Sequence, residues 1–223
     1  MNRMKRLMLS ILCGVLAMSC LPVMAESNLL YNGGLNSTNG PFDGWGVDYD
    51  WTGSTKQIGN GKNASFLPEF KGKRNVLKMV VPWNFESKVE TPVVKYEETG
   101  DRYKCTFDFY VEDNVNVRLL FLGYNLGPGV PPPNDGRPKL QDLRRIYKGE
   151  AVNSSKGGWK TMTVTFPQEE ISAQAYSHLK KVRYLTLFMY VPGGFGSKGA
   201  FYVANAKMEK LPGKAKVIKE AVK

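Results

Sequence analysis

The chain has 223 residues, with 31 Lys and Arg against 20 Asp and Glu, one His and three Cys. That length suits one large domain, and 42% hydrophobic with 23% charged residues excludes wholesale disorder. One His and three Cys are too few for a zinc cluster or a disulfide scaffold.

The chain opens on an address. Arg3, Lys5 and Arg6 precede an apolar run, Leu7 to Leu21, that is too short and wrongly flanked for a lasting membrane span. Val23-Met24-Ala25 favours cleavage after Ala25, so residues 1–25 read as a signal peptide. Cys20 resembles a bacterial lipoprotein site with Ala17 where a larger aliphatic residue is usual, which gives lipid anchoring as the alternative. Either way the expected location is extracytoplasmic: secreted, periplasmic or at the cell surface. Cleavage removes Cys13, Cys20 and three basic residues, so the formal charge falls from +11 to +8 and Cys105 stays as a lone thiol. No internal disulfide is then available, and stability rests on the core.

Strands are expected near 28–31, 44–51, 75–81 and 86–94. Tyr103, Cys105, Phe107, Phe109 and Val111 then alternate with polar residues, as in a half-buried strand. Asp113-Asn114 is a turn, and a return strand follows with Val115, Val117, Leu119 and Phe121 on one side. Residues 125–139 form a proline-stiffened loop. A strand is expected near 141–149. From Trp159 to Phe166, Met162, Val164 and Phe166 share a face opposite three Thr. Ser172 to Lys181 is the one helical stretch, Tyr184 to Val191 reads as a central strand, and Phe201 to Met208 as the last. About ten strands separated by turn signals predict an all-β antiparallel sandwich of jelly-roll type. Residues 26–211 form the domain, and the Lys-rich stretch 212–223 reads as a solvated basic tail.

Four segments carry a resemblance. They are Asn28-Leu29-Leu30-Tyr31-Asn32-Gly33-Gly34-Leu35-Asn36 with Gly44-Trp45, then Gly100 to Val111, Gly158 to Phe166, and Gly199 to Glu209. In that order they resemble carbohydrate-binding-module jelly rolls of the cellulose- and xylan-binding type, with a galactose-binding-like sandwich. The resemblance implies non-catalytic binding of a polysaccharide or other glycan. It also implies a structural calcium, but Asn36 and Ala204-Asn205 stand where acids are usual, so neither a metal nor another cofactor is expected. Separately, the basic residues are scattered and no nucleic-acid motif appears, so no nucleic-acid partner is expected.

Sugar rings present apolar C–H faces and hydroxyl edges, so a binding site needs aromatic platforms beside planar polar groups. Trp51 and Trp83 lie at strand ends and are candidates for contact. Outward positions supply Asp108, Tyr110, Arg118, Tyr124, Tyr184 and Tyr190, which together suggest one aromatic groove with polar clamps. Trp45 and Trp159 open strands and read as core. His178 has no nucleophile elbow to serve. Cys105 reads as buried filler. Asp48 and Asp50 share a strand face without a setting that raises a carboxyl pKa. No catalytic residue is assigned. The alternatives are a structural or adhesive surface protein without a sugar site, or a small polysaccharide hydrolase or lyase.

Overall fold

The computed structural model describes residues 28–47, 64–80, 87–112, 115–124, 143–145, 151–152, 157–191 and 199–218. The expected signal peptide, Asp48, Asp50, Trp51, Trp83 and the proline-rich loop lie outside them.

Alternation governs the architecture. β6 (Asp101–Val111) buries every second residue, and Tyr103, Cys105 and Phe107 are almost wholly enclosed. It pairs with β10 (Lys160–Phe166) on one side and β13 (Ala200–Lys214) on the other. β13 also pairs with β3 (Lys73–Val80), and β3 with β2 (Ala64–Phe70), to complete a five-stranded sheet. The second sheet centres on β12 (Tyr184–Val191), flanked by β7 (Val117–Tyr124) and β4 (Ser87–Glu90). β1 (Gly46–Val47) extends it beyond β4, β5 (Val94–Lys95) pairs with β12, and β8 (Leu143–Arg145) and β9 (Ala151–Val152) pair with β7. All these pairs are antiparallel.

In chain order β6, β7, β10, β12 and β13 go to the two sheets in turn, which is the crossing pattern of a jelly roll. The facing sides form one core. Leu77, Met79, Phe107, Phe201 and Met208 from the five-stranded sheet meet Leu119, Phe121, Leu185, Leu187 and Met189 from the seven-stranded one. Phe121 and Phe166 stack at 5.3 Å.

The Asn28–Leu30 stretch, expected as a strand, is a clasp instead. β3 leaves β13 after the Leu77–Val203 pair, and β13 bulges between Ala204 and Lys207. The opening segment covers the edge thus exposed. Leu29 N donates to Met208 O, Met208 N donates to Asn28 Oδ1, Asn28 Nδ2 donates to Ala206 O, and Ala206 N donates to Gly33 O. Buried backbone groups need such partners. Gly33 must be glycine, because a Cβ there would lie 2.2 Å from Ala206 O.

In the basic stretch, residues 212–218 are described and, apart from Ala215, are exposed and yet in strands. β13 runs on to Lys214, and β14 (Lys216–Ile218) pairs in parallel with β11 (Glu170–Ser172). Lys210, just before this stretch, bridges to Asp101 and Glu97, and Lys214 within it bridges to Glu98 at the surface. The helix is α1 (Ala173–Leu179), whose N-cap Ser172 accepts from Ala175 N. Among the described residues no helix is long and apolar enough to cross a membrane.

Candidate functional site: two outward faces

The strand faces predicted to form one groove belong to different sheets. Asp108 and Tyr110 lie on the outer side of the five-stranded sheet, whereas Arg118, Tyr124, Tyr184 and Tyr190 lie on the outer side of the seven-stranded sheet. The core separates them. The six residues therefore lie on two opposite faces, not in one groove.

The first face is closed by a hairpin. Lys71 and Gly72, both with positive φ (45° and 76°), form the tight turn between β2 and β3. Beyond the last β3–β13 pair the hairpin runs on, and its tip packs over β13, β6 and the start of β10. Phe70 stacks on Tyr202 at 3.8 Å and meets Tyr110 and Trp159 edge-on at 5.6 and 6.2 Å. Lys71 Nζ sits 4.1 Å from the Tyr110 ring centre, and its carbonyl accepts the Trp159 indole N–H at 3.1 Å. Trp159, read as core from its place at a strand start, is thus a half-buried member of this outer cluster. Position relative to the strand could not distinguish the two sides. Trp45 is core, 3% exposed, with its indole N–H on Asn32 O.

Asp108 is held at the edge of this cluster. It accepts from Lys73 Nζ, Thr161 Oγ1 and Asn205 Nδ2, each at 2.8 Å. Burial pulls its pKa upward, but those three hydrogen bonds and the Lys73 charge outweigh it and hold the carboxyl below its ordinary value. Both Asp108 and Tyr110 are therefore engaged in fastening the hairpin. Its strand β2 was missed in the sequence because Pro68 interrupts it. On an edge strand that proline is tolerated, and its position opposite Asn75 (φ 54°) carries no ladder pair.

The second face is a ladder of rows across β4, β12 and β7. Tyr190 stands opposite Arg118 on one side and Lys88 on the other. Phe188 stands between Glu90 and Leu120, and Tyr184 between Lys95 and Tyr124. Phe188 and Tyr190 lie nearly parallel at 6.3 Å and 19°. Tyr184 and Tyr190 are half-buried and Arg118 is exposed, whereas Tyr124, Phe188, Leu120 and Leu122 are buried. Glu90 is 4% exposed, and the hydroxyls of Tyr124 and Thr186 both donate to its Oε1. Glu90 and Thr186 were not singled out in the sequence. Their outward parity in β4 and β12 was the available signal.

The loop where the resemblance would place calcium is filled by hydrogen bonds. Asn32 (φ 53°) accepts from the N–H groups of Asn36 and Ser37, and its amide donates to the carbonyls of Pro41 and Asp43. Asp43 Oδ2 accepts from Tyr31, Ser37 and Asn39. The Tyr31 and Ser37 hydroxyls lower its pKa. Among the described residues no three His, Cys, Asp or Glu side chains are grouped as metal ligands would be. His178 is exposed on α1, and Cys105 is fully enclosed with its pKa pushed up to about 12 by burial.

No protein-family model and no curated protein matches the chain. Similar solved structures do exist. Carbohydrate-binding modules are among them. The chain is similar to TmCBM61 in complex with β-1,4-galactotriose, at 12% identity over 83% of this chain and 99% of that one, with a TM-score of 0.47. It is also similar to the CBM22-1 xylan-binding domain of Paenibacillus barcinonensis Xyn10C, at 11% identity over 85% and 97%, with a TM-score of 0.44. A third likeness is to the enzymatically active domain of tailspike protein 4 of bacteriophage CBA120, at 11% identity and a TM-score of 0.46. There the match covers 82% of this chain and 21% of the other.

Proposed function

We propose that the protein is a non-catalytic, extracytoplasmic glycan-binding protein whose sugar contacts lie on the outer face of the seven-stranded sheet. The observation that carries this reading is the row in which half-buried Tyr190 stands opposite exposed Arg118. Beside it lie the parallel Phe188 ring and, along the same face, half-buried Tyr184. A tyrosine ring offers a flat apolar surface to a sugar face, and its hydroxyl and a guanidinium offer hydrogen bonds to the sugar edge. The five-stranded face is less suited, because its aromatics and Asp108 hold the β2–β3 hairpin.

Four of the described acids are poorly set to act as a general acid. A glycosidase needs one carboxyl with a raised pKa. Asp43 and Asp108 are shifted the other way, and Asp101 and Glu209 are salt-bridged to lysines. The test is retention on a panel of plant and microbial polysaccharides in affinity gels, scored for released sugar as well. Tyr190→Ala is expected to weaken retention by about tenfold or more while the Tm stays within about 2 °C. Retention on no polymer of the panel, with the protein folded, overturns the reading and leaves the scaffold alternative. Released oligosaccharide overturns the non-catalytic part.

A further inference from the structure

We infer that the turn between α1 and β12 is a second binding site, one for the sulfate ester groups of a glycan, held by Lys95, Lys180, Lys181 and Arg183; the kind of polymer rests on the glycan-binding reading above. The turn is compact. Lys181 N donates to His178 O and Val182 N to Leu179 O, so three cations and His178 fall within six residues that fold back on themselves. β5 brings Lys95 to the same place, since it stands opposite Tyr184 and Tyr96 N donates to Arg183 O at 2.8 Å. All four cations are exposed. The Arg183 guanidinium is already fixed. Its Nη1 donates to the carbonyls of Lys180 and Val182 at 3.0 and 2.9 Å, which leaves Nε and Nη2 for a ligand. Capping the end of α1 accounts for Arg183. It does not account for Lys95, Lys180 and Lys181, whose ammonium groups donate to no carbonyl or carboxylate among the described residues.

The surrounding chain supplies no counter-charge. From Ile171 to Met208 the sequence has no Asp or Glu. Glu97 and Glu98, which follow Lys95, turn to Lys210 and Lys214. Lys71, Arg74, Lys78 and Lys160 on the five-stranded sheet have no acid bridged to them either, but they are placed differently. Lys71 sits over the rings of Tyr110 and Phe70, Lys78 sits over Tyr202, Arg74 stands opposite Glu69, and Lys160 opens β10 alone. The α1–β12 turn differs from them in gathering four cations at one place, one of them held in a set orientation. Crowded like charges raise the local potential and draw an anion. A sulfate ester is always ionised, and its three terminal oxygens point in different directions. Ammonium groups arriving from two elements, with one guanidinium edge, suit that shape, whereas a planar carboxylate is served by a single fork. The position suits a polymer. Arg183 lies seven residues before Tyr190 in the same stretch, about 23 Å along an extended strand. One glycan chain can therefore reach both, which makes the second contact intramolecular.

The experiment measures binding of the full chain to dextran sulfate, to carboxymethyl dextran of equal charge, and to unmodified dextran, with inorganic sulfate as a competitor. The wild type is expected to bind dextran sulfate about tenfold tighter than dextran and about threefold tighter than the carboxymethyl polymer. Lys180→Gln with Lys181→Gln should weaken dextran sulfate binding about tenfold. Lys78→Gln with Lys160→Gln, an equal loss of charge on the five-stranded sheet, should leave it within about twofold. Thermal melts establish that both double variants are folded. Equal losses in the two double variants overturn the site in favour of diffuse charge. Binding of the carboxymethyl polymer as tight as that of the sulfate overturns the sulfate class. Displacement by inorganic sulfate at the same total sulfate means a site for the free ion and overturns the polymer. No binding of dextran sulfate, with retention on neutral polysaccharides, overturns this inference and leaves the glycan reading standing. Retention on no polymer, neutral or acidic, removes both.

Discussion

Tyr110 and Tyr190 both point away from the core, yet substitution should affect them in different ways. Tyr110 touches Phe70, Trp159, Tyr202 and Lys71. Removing it opens a packed cluster, and Tyr110→Ala should cost about 2 kcal/mol of stability without changing retention on glycan, as read by denaturant melts and affinity gels. Tyr190→Ala should do the reverse. Cys105 makes a further residue-scale test. It is enclosed, and burial raises its thiol pKa to about 12, so the thiolate that reacts with disulfide reagents is scarce. Native protein should be inert to such a reagent over hours and labelled at once in denaturant. Rapid labelling of the native state would contradict the burial described. Much of this level was legible beforehand. The alternation in β6 told which residues face inward, including Cys105, because a strand's side-chain period is fixed by its backbone. Trp159 was read as core from its place at a strand start, whereas the alternation of Met162, Val164 and Phe166, carried back to 159, puts it on the outer side where it lies.

For the elements, alternation states which side of a strand is buried but not which layer the strand joins. Asp108 and Tyr110 read as outward, and so did Tyr184 and Tyr190, and both readings hold. The two outward directions are opposite, because β6 and β12 belong to facing sheets. Layer membership depends on long-range pairing, such as Leu187 with Phe121, which no local pattern encodes. The β2–β3 hairpin was hidden for another reason. Its Pro68 argues against a strand unless the strand is known to be at an edge. This hairpin yields a pH test. The folded-state pKa of Asp108 lies below its ordinary 3.8, so its contribution is complete above about pH 5 and is lost as pH falls through the folded value. Asp108→Asn should therefore be less stable than wild type by about 1 kcal/mol near pH 7, with the gap closing toward pH 3 in thermal melts. A gap that is constant with pH would mean that the ionised form adds nothing.

At the scale of the whole molecule, both ends of the described chain converge on β13. Asn28 and Gly33 bind its bulge, while β14 continues from its far end. Gly33→Ala places a methyl against Ala206 O, so it should loosen this clasp and lower the Tm by several degrees, about 1–3 kcal/mol in denaturant melts. The tail's role was illegible because a lysine-rich sequence resembles a solvated end whether or not acids wait opposite it. Within the tail Lys214 meets Glu98, 116 residues earlier in the chain, and just before it Lys210 meets Glu97 and Asp101. β13 also lies between β6 and β3, so without it the five-stranded sheet is two separate strand pairs. A growing polypeptide consequently lacks its closing seam until β13 has been synthesised. A chain stopped at residue 199 should be digested by protease as an unfolded one is, and nascent chains should gain resistance late and in a single step, when β13 emerges.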